Sequence, residues 1–498
     1  MLIKKDPDII IPYLKDYSNI NGGFCDCVIF PETEEEVTDT IKSASAKKIP
    51  TTISAAGTGV TGARIPFGGQ VLSVEKMNRI LDIERLPSGE GTALIEPAVL
   101  LKDFLERAER EGLFYPPDTT EKGSFLCGNV ATSASGARSF RFGTTRNYVL
   151  GLRVVLPTGE LLEIERGKIF AKDRVIELPL VSGKTLRLKL PDYNMPNVKN
   201  AAGYYIKDNM DAIDLFIGQE GTLGVITKVK LKLLKGLGSL LDCCAFFDKQ
   251  RDALSFAYSA RKISLKNRGL TEDINAISLE FLDENSLQLL RQRHKNIPKA
   301  ARGAVYFEQE ISKESEPGLL NAWARLIEEC GGSLDNTWFA QSKNEKDRLR
   351  SMRHDLPEMV NEFIKRRKLA KVGTDIAVRH EYIDDMIGYY NESLAAAGLR
   401  YVIFGHIGDS HLHVNILPEN EQQHKKAKDI YNLFVKKAVS YGGTVSAEHG
   451  IGKLKHSYLE AMYGKDAIME MARLKKSVDP ACILGLDNIF PKKMLNQD

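Results

Sequence analysis

A chain of 498 residues is too long for a single hydrophobic core, since one core stops growing at ~250–300 residues, so at least two domains are expected. Apolar residues make up 43% and charged residues 27%, which excludes a disordered or fibrous chain, and a net charge of +3 is too weak a field to hold a nucleic acid by its phosphates. No apolar run approaches the ~20 residues of a membrane span, and Met1-Leu-Ile-Lys-Lys-Asp6 lacks the apolar core and cleavage site of a signal peptide. A cytoplasmic protein is the default, with peripheral attachment at the inner membrane as the alternative.

The first half alternates short β-like runs with amphipathic helices. Val28-Ile-Phe30 reads as a strand, and Thr33-Glu-Glu-Glu36 as a capping box opening a helix that carries Val37, Ile41 and Ala44 at helical spacing. Pro50 ends that unit, and Thr51-Thr-Ile-Ser54 reads as the next strand. A second helix is expected from Val99 to Glu111, burying Phe104, Leu105 and Ala108 and stopped by Gly112.

Leu161 to Leu190 is β-like and rich in Lys and Arg (Arg166, Lys168, Lys172, Arg174, Lys184, Arg187, Lys189). A docking surface for an anionic partner and a solvated hairpin inserted in the sheet both fit, and the hairpin is preferred because charge runs mostly face water. After Gly238 longer helices separate the strands, which sets a domain boundary there. Seven cysteines, an odd number scattered along the chain, exclude a disulfide framework and an iron–sulfur cluster run, and they read as buried or idle thiols.

Gly57-Thr-Gly59-Val-Thr-Gly62 matches the dinucleotide pattern G-x-G-x-x-G. A Rossmann unit needs a helix opening at the third glycine, whereas Ala63-Arg-Ile-Pro66-Phe-Gly-Gly69 breaks a helix at once, so that fold is rejected. What remains is a loop whose successive N–H groups can surround an anion such as a diphosphate. Lys122 to Gly136 and Gly218-Gln-Glu-Gly221-Thr-Leu-Gly224 are further small-residue runs that leave a groove for an extended cofactor against backbone.

The order of these pieces, with Ile95-Glu-Pro97, Pro116-Pro-Asp118 and Arg141-Phe-Gly143 between them, resembles the FAD domain of the vanillyl-alcohol oxidase/p-cresol methylhydroxylase (PCMH) superfamily. The branch it resembles is that of the D-lactate and D-2-hydroxyglutarate dehydrogenases and the glycolate oxidase flavin subunit. The resemblance implies an α+β protein with a two-subdomain PCMH-type FAD-binding domain at 1–238. An FAD-linked oxidase C-terminal domain at 239–465 would follow, an antiparallel sheet covered by helices, with a segment at 466–498 returning to the FAD domain. It implies FAD contacts at Gly57, Thr58, Gly59, Thr61, Gly62, Pro117, Asp118, Gly128, Ser133, Gly136, Gly221 and Ile226. Some relatives attach FAD through a histidine, but no histidine precedes His294 here, so non-covalent FAD is expected. Near the C-terminus, Asp479-Pro-Ala-Cys-Ile-Leu-Gly485-Leu-Asp-Asn488 resembles a family segment that places asparagine where Gly485 stands.

In Gly405-His406-Ile-Gly-Asp-Ser-His411-Leu-His413-Val-Asn415, β-alternation puts His411, His413 and Asn415 on one face, and the Gly408-Asp-Ser turn can return His406 to it. Ser446-Ala-Glu448-His449-Gly450 sets a carboxylate beside an imidazole, and two histidines with one carboxylate are a common set for a catalytic divalent metal. By resemblance His406, His413 and Glu448 are ligands of a divalent metal (Zn, Mn or Fe) and His449 is the base. Asn415 belongs to the same site, and His411, where the family has asparagine after a glycine, is a further ligand or a substrate contact. The resemblance also assigns Arg353 and Lys371 to the substrate carboxylate.

The activity so implied is FAD-dependent oxidation of a 2-hydroxy acid to a 2-oxo acid, with electrons passed to an external quinone, electron-transfer flavoprotein or cytochrome. The alternatives are an alkylglycerone-phosphate synthase-like transferase and a catalytically silent flavin subunit of a larger complex. A homodimer is compatible with all three.

Overall fold

The computed structural model describes residues 1–340 and 342–496. Two compact units divide the chain. Unit 1 comprises 1–135, 144–236 and the chain from Ser446 onward, and unit 2 comprises 136–143 and 237–445. The turn bearing Glu448 and His449 thus falls in unit 1 and the histidine-rich strand in unit 2.

Unit 1 holds a small sheet in the order Leu2–Lys4, Cys27–Phe30, Gln70–Ser73, Thr51–Ser54, the last three strands parallel. The helix Glu34–Lys47 makes the crossover and buries Val37, Ile41 and Ala44. Its start is half a capping box. The Thr33 hydroxyl accepts from the Glu36 amide, but the Glu36 carboxylate takes the Glu32 amide and the N-terminal ammonium instead of closing the box. The helix Leu101–Arg110 buries Leu101, Phe104 and Ala108, while Leu105 is only half-buried.

A second sheet in unit 1 is antiparallel, in the order Ile80–Arg85, Gly91–Ile95, Val225–Lys235, Val149–Val155, Leu161–Glu165, with Leu113–Phe114 also paired to the Val225–Lys235 strand. Of the basic stretch, Leu161–Glu165 is the edge strand of this sheet, and the rest forms a separate two-stranded hairpin, Val175–Pro179 against Thr185–Lys189. Its alternation buries Ile176, Leu178 and Leu188 and leaves Arg187 and Lys189 exposed. No cysteine among the described residues is in a disulfide.

Unit 2 is an antiparallel sheet in the order Thr337–Ala340, Ser239–Phe247, Gly303–Ile311, Ser278–Asp283, Tyr401–Gly405, His411–Ile416, Val372–Gly373, with Ile376–Ala377 also on the His411–Ile416 strand. On one face Phe307 stacks on Trp323, ring centroids 4.1 Å apart, and packs against Phe256 of the helix Gln250–Lys266. On the other, Cys244, Phe246, Leu282 and Tyr306 pack with Met352, Leu356 and Val360 of the long helix Lys343–Arg366. Period-2 alternation places Asp242, Glu280 and Glu308 on this second face, beyond the apolar cluster. Three acids on a buried strand face must be paired to be tolerated.

Candidate active site

In unit 1 the loop after Thr51–Ser54 runs through Gly57 to Gly62 with no helix opening at its third glycine, in agreement with rejection of the Rossmann reading. Gly59 has open space where a side chain would stand, its nearest neighbour being an Asp16 carboxylate oxygen 4.0 Å away. The Arg64 guanidinium packs against Gly57, with Nε donating to the Ser54 hydroxyl at 2.7 Å. An open backbone loop with a cation beside it suits a diphosphate, so this observation fits FAD and adds Arg64 to the residues expected from sequence.

The other loops close on the same part of unit 1. Gly128 lies in the helix Leu126–Thr132, and Ser133 caps it in the left-handed conformation. The amides of Gly218 and Glu220 donate to the carbonyls of Val130 and Ala131. Gly221 packs on Ile53, Ile226 is buried in the Val225–Lys235 strand, and Asp118, next to Pro117, pairs with Lys122. Gly136, by contrast, falls in unit 2. At Gly485 φ is +54° and a Cβ would lie 2.6 Å from the Gly221 carbonyl oxygen, so no side chain fits this backbone. Asn488 makes the polar tie instead, donating to the carbonyls of Ala63 at 3.0 Å and Glu220 at 2.8 Å.

The Glu448–His449 turn also belongs to unit 1. Its braces are backbone groups and neighbours of the imidazole. Glu220 accepts from the Ile451 and Gly452 amides at 2.7 Å each, the Ser446 hydroxyl donates to the Gly450 carbonyl at 2.6 Å, and the Thr61 hydroxyl donates to the His449 carbonyl at 3.4 Å. Burial pushes the Glu220 carboxyl up to about 7, although these amides pull the other way. Glu448 is buried and accepts from Lys199 Nζ at 2.8 Å and the Ser135 hydroxyl at 3.3 Å, while His449 Nε2 lies 3.7 Å from its other oxygen. Lys199 escaped the sequence reading because its stretch, 191–203, is an irregular loop rich in Pro and Asn, with no periodicity to aim a side chain.

In unit 2 the turn Ile407–Asp409 ends in Ser410 at φ +53° and brings His406 back beside the strand His411–Ile416. The ring centroids of His406 and His413 are 5.6 Å apart. His406 Nδ1 lies 2.6 Å from Glu280 Oε1, and Arg353 donates from Nε at 3.1 Å and Nη2 at 3.0 Å to Glu280 Oε2. Burial alone would raise the Glu280 carboxyl, but Arg353 and His406 hold it at about 2. One buried carboxylate therefore fixes both an expected ligand and the expected substrate arginine. Its signal in the sequence was a lone acid on an apolar strand, Ser278-Leu-Glu280-Phe-Leu.

Lys371 is exposed just before the strand Val372–Gly373. Where a Gly373 side chain would stand lie Asn415 Oδ1 at 2.9 Å and Lys371 Cε at 3.2 Å, so the lysine chain folds over the glycine toward Asn415. His406, His413, Arg353, Lys371 and Asn415 thus belong to one face or edge of the unit 2 sheet. Rings whose outer nitrogens point at acceptors are the donor set of a divalent metal, so unit 2 fits one.

Two family models match the chain, with bounds that differ from those of the two units, since the second runs on past Ser446 into unit 1. Residues 25–165 match the family model for the FAD binding domain, and residues 265–486 match that for FAD linked oxidases, C-terminal domain. The chain is 28% identical to the glycolate oxidase subunit GlcD of Bacillus subtilis, covering 94% of this chain and 89% of that protein. It is 29% identical to a D-lactate dehydrogenase of Anaerostipes hadrus, covering 92% and 88%. The solved structure of p-cresol methylhydroxylase with substrate bound shares the fold, with a TM-score of 0.71 at 15% identity, over 100% of this chain and 95% of that one. An FAD-binding unit joined to an FAD-linked oxidase unit defines an FAD-linked oxidoreductase. The chain thus carries both family domains, and over most of its length it is similar to the glycolate oxidase flavin subunit and to D-lactate dehydrogenases.

Proposed function

We propose that the protein oxidises a 2-hydroxy acid of the D-lactate, glycolate or D-2-hydroxyglutarate type to the 2-oxo acid. FAD would be held without a covalent bond by the loops of unit 1. A divalent metal, Zn, Mn or Fe, would be held by His406 and His413 together with Glu448. FAD, when bound, supplies the two-electron acceptor for the Cα hydrogen, and a divalent ion supplies positive charge beside the hydroxyl oxygen. His449 takes the hydroxyl proton as general base. Arg353, with part of its fork oriented by Glu280, and Lys371 hold the substrate carboxylate, and Asn415 lines the same edge. Electrons then leave to an external quinone, electron-transfer flavoprotein or cytochrome.

The observation that carries this reading is the Arg353–Glu280–His406 link, which couples a carboxylate-binding cation to a metal-ligand imidazole through one buried acid. The names of the relatives, which are enzymes of glycolate and D-lactate, support the substrate class. The test is anaerobic mixing of the purified flavoprotein with D- and L-lactate, glycolate, malate and 2-hydroxyglutarate. Bleaching of the oxidised flavin by at least one of them is expected, and a flavin that stays oxidised with all of them would reject the reading.

A further inference from the structure

His411 opens the strand His411–Ile416, directly after the turn that ends in Ser410. Ser410 is in the left-handed conformation, at φ +53°, and its hydroxyl lies 3.0 Å from His380 Nδ1. His411 itself is wholly buried. Its ring centroid is 4.5 Å from that of His413 and 5.3 Å from that of His406, and one nitrogen from each of the three rings lies within 4.8 Å of the other two. These rings all belong to unit 2.

His406 and His413 each have an acceptor of unit 2 behind them, and a buried carboxylate stands beside His411. His406 Nδ1 meets Glu280 at 2.6 Å, His413 Nδ1 meets the Thr374 carbonyl at 3.1 Å, and His411 Nε2 lies 3.1 Å from Oδ1 of the buried Asp375. An acceptor that fixes the proton on one nitrogen of a neutral imidazole puts the lone pair on the other. The lone pairs then sit on Nε2 of His406 and Nε2 of His413, while His411 stands between these rings and the buried Asp375 carboxylate. Thr374 and Asp375, adjacent in sequence, stand beside the two strand histidines. A carboxylate or carbonyl behind an imidazole is what a metal-binding histidine requires.

We propose that His411 is a third imidazole ligand, so that unit 2 by itself supplies a three-histidine metal site. The inference rests on the metal reading given under Proposed function. Metal–nitrogen bonds of ~2.0–2.1 Å are reached from the observed spread by small ring rotations. A site this rich in imidazole favours zinc, iron or cobalt over magnesium or calcium, which prefer oxygen. It also makes Glu448 a contributor that the site can lose without losing the ion.

The test uses the full-length flavoprotein, stripped of metal and titrated calorimetrically with Co²⁺ alone, beside X-ray absorption of the zinc-loaded wild type. Three imidazoles around zinc are expected. His411→Asn should weaken Co²⁺ by about tenfold or more at unchanged FAD content, and Glu448→Gln should still bind Co²⁺. Two imidazoles in the wild type, or unchanged Co²⁺ affinity in His411→Asn, overturns the third ligand while leaving the metal reading in place. A wild type that binds neither ion overturns both. The wild-type imidazole count decides the matter even where the variant fails to fold.

Discussion

In unit 1 the loops at Gly57–Gly62 and Gly218–Gly221 are held by backbone groups and by side-chain amides, Gln219 tying the Leu223 amide and the Gly224 carbonyl and Asn488 bridging the carbonyls of Ala63 and Glu220. In unit 2 the histidines are held by buried charge, with Glu280 behind His406 and Asp375 beside His411. A groove for an extended cofactor needs side chains kept away, whereas a metal centre needs them aimed. The same chain therefore writes one site in glycines and the other in acids placed far from the groups they orient.

The comparison is broken most severely at the turn where unit 1 contributes a side chain rather than backbone. His449→Asn should slow flavin reduction by a hydroxy acid ~100–10,000-fold, equal to ~3–5 kcal/mol of barrier, with FAD and metal retained. The deficit should shrink at high pH, where hydroxide replaces the base. Rapid-mixing absorbance of the flavin measures it, and a near-normal rate would remove His449 from the chemistry. The braces of the turn belong to Glu220, Ser446 and Thr61, so the variant should keep its fold.

A smaller effect is expected from Glu280→Gln, which leaves every proposed ligand in place and removes only the charge behind His406 and Arg353. Metal affinity should fall ~10–100-fold, and KM for the hydroxy acid should rise as Arg353 loses its anchor. Glu308→Gln is the control. Glu308 lies on the same sheet face and is bound by Arg138 at 2.8 Å, so its loss should lower stability but spare metal affinity. Equal metal loss in both variants would reduce Glu280 to a structural acid.

The smallest effect concerns pH in unit 1. Glu220 has its folded pKa raised from 4.5 to about 7 by burial. Between those values the unfolded chain has released the proton that the folded chain keeps, so the contribution of Glu220 to stability falls as pH rises across that window. The difference in unfolding free energy, wild type minus Glu220→Gln, should accordingly be more favourable to the wild type at pH 5 than at pH 8. Denaturant unfolding of the two proteins at both pH values gives the sign, and a difference that grows with pH would contradict the assignment.

The features legible in the sequence were those with local periodicity or composition. The glycine loops, the helix-free third glycine and the alternation from His411 to Asn415 needed only neighbouring residues. The Glu280 link spans 126 residues to His406 and the Lys199 contact 249 to Glu448, and no local pattern encodes such pairings. Asn488 was missed for a different reason. The resemblance points to Gly485, three positions earlier, where a Cβ would lie 2.6 Å from the Gly221 carbonyl oxygen, while the ties to the Ala63 and Glu220 carbonyls are made by Asn488 itself.

The most direct measurement of the central claim is metal content and anaerobic flavin reduction on one sample before and after chelation. The account predicts a stoichiometric divalent ion per FAD, loss of reduction on chelation with FAD still bound, and recovery when the metal is returned. Full-rate reduction of the flavin by a hydroxy acid in protein that contains no divalent ion would contradict it.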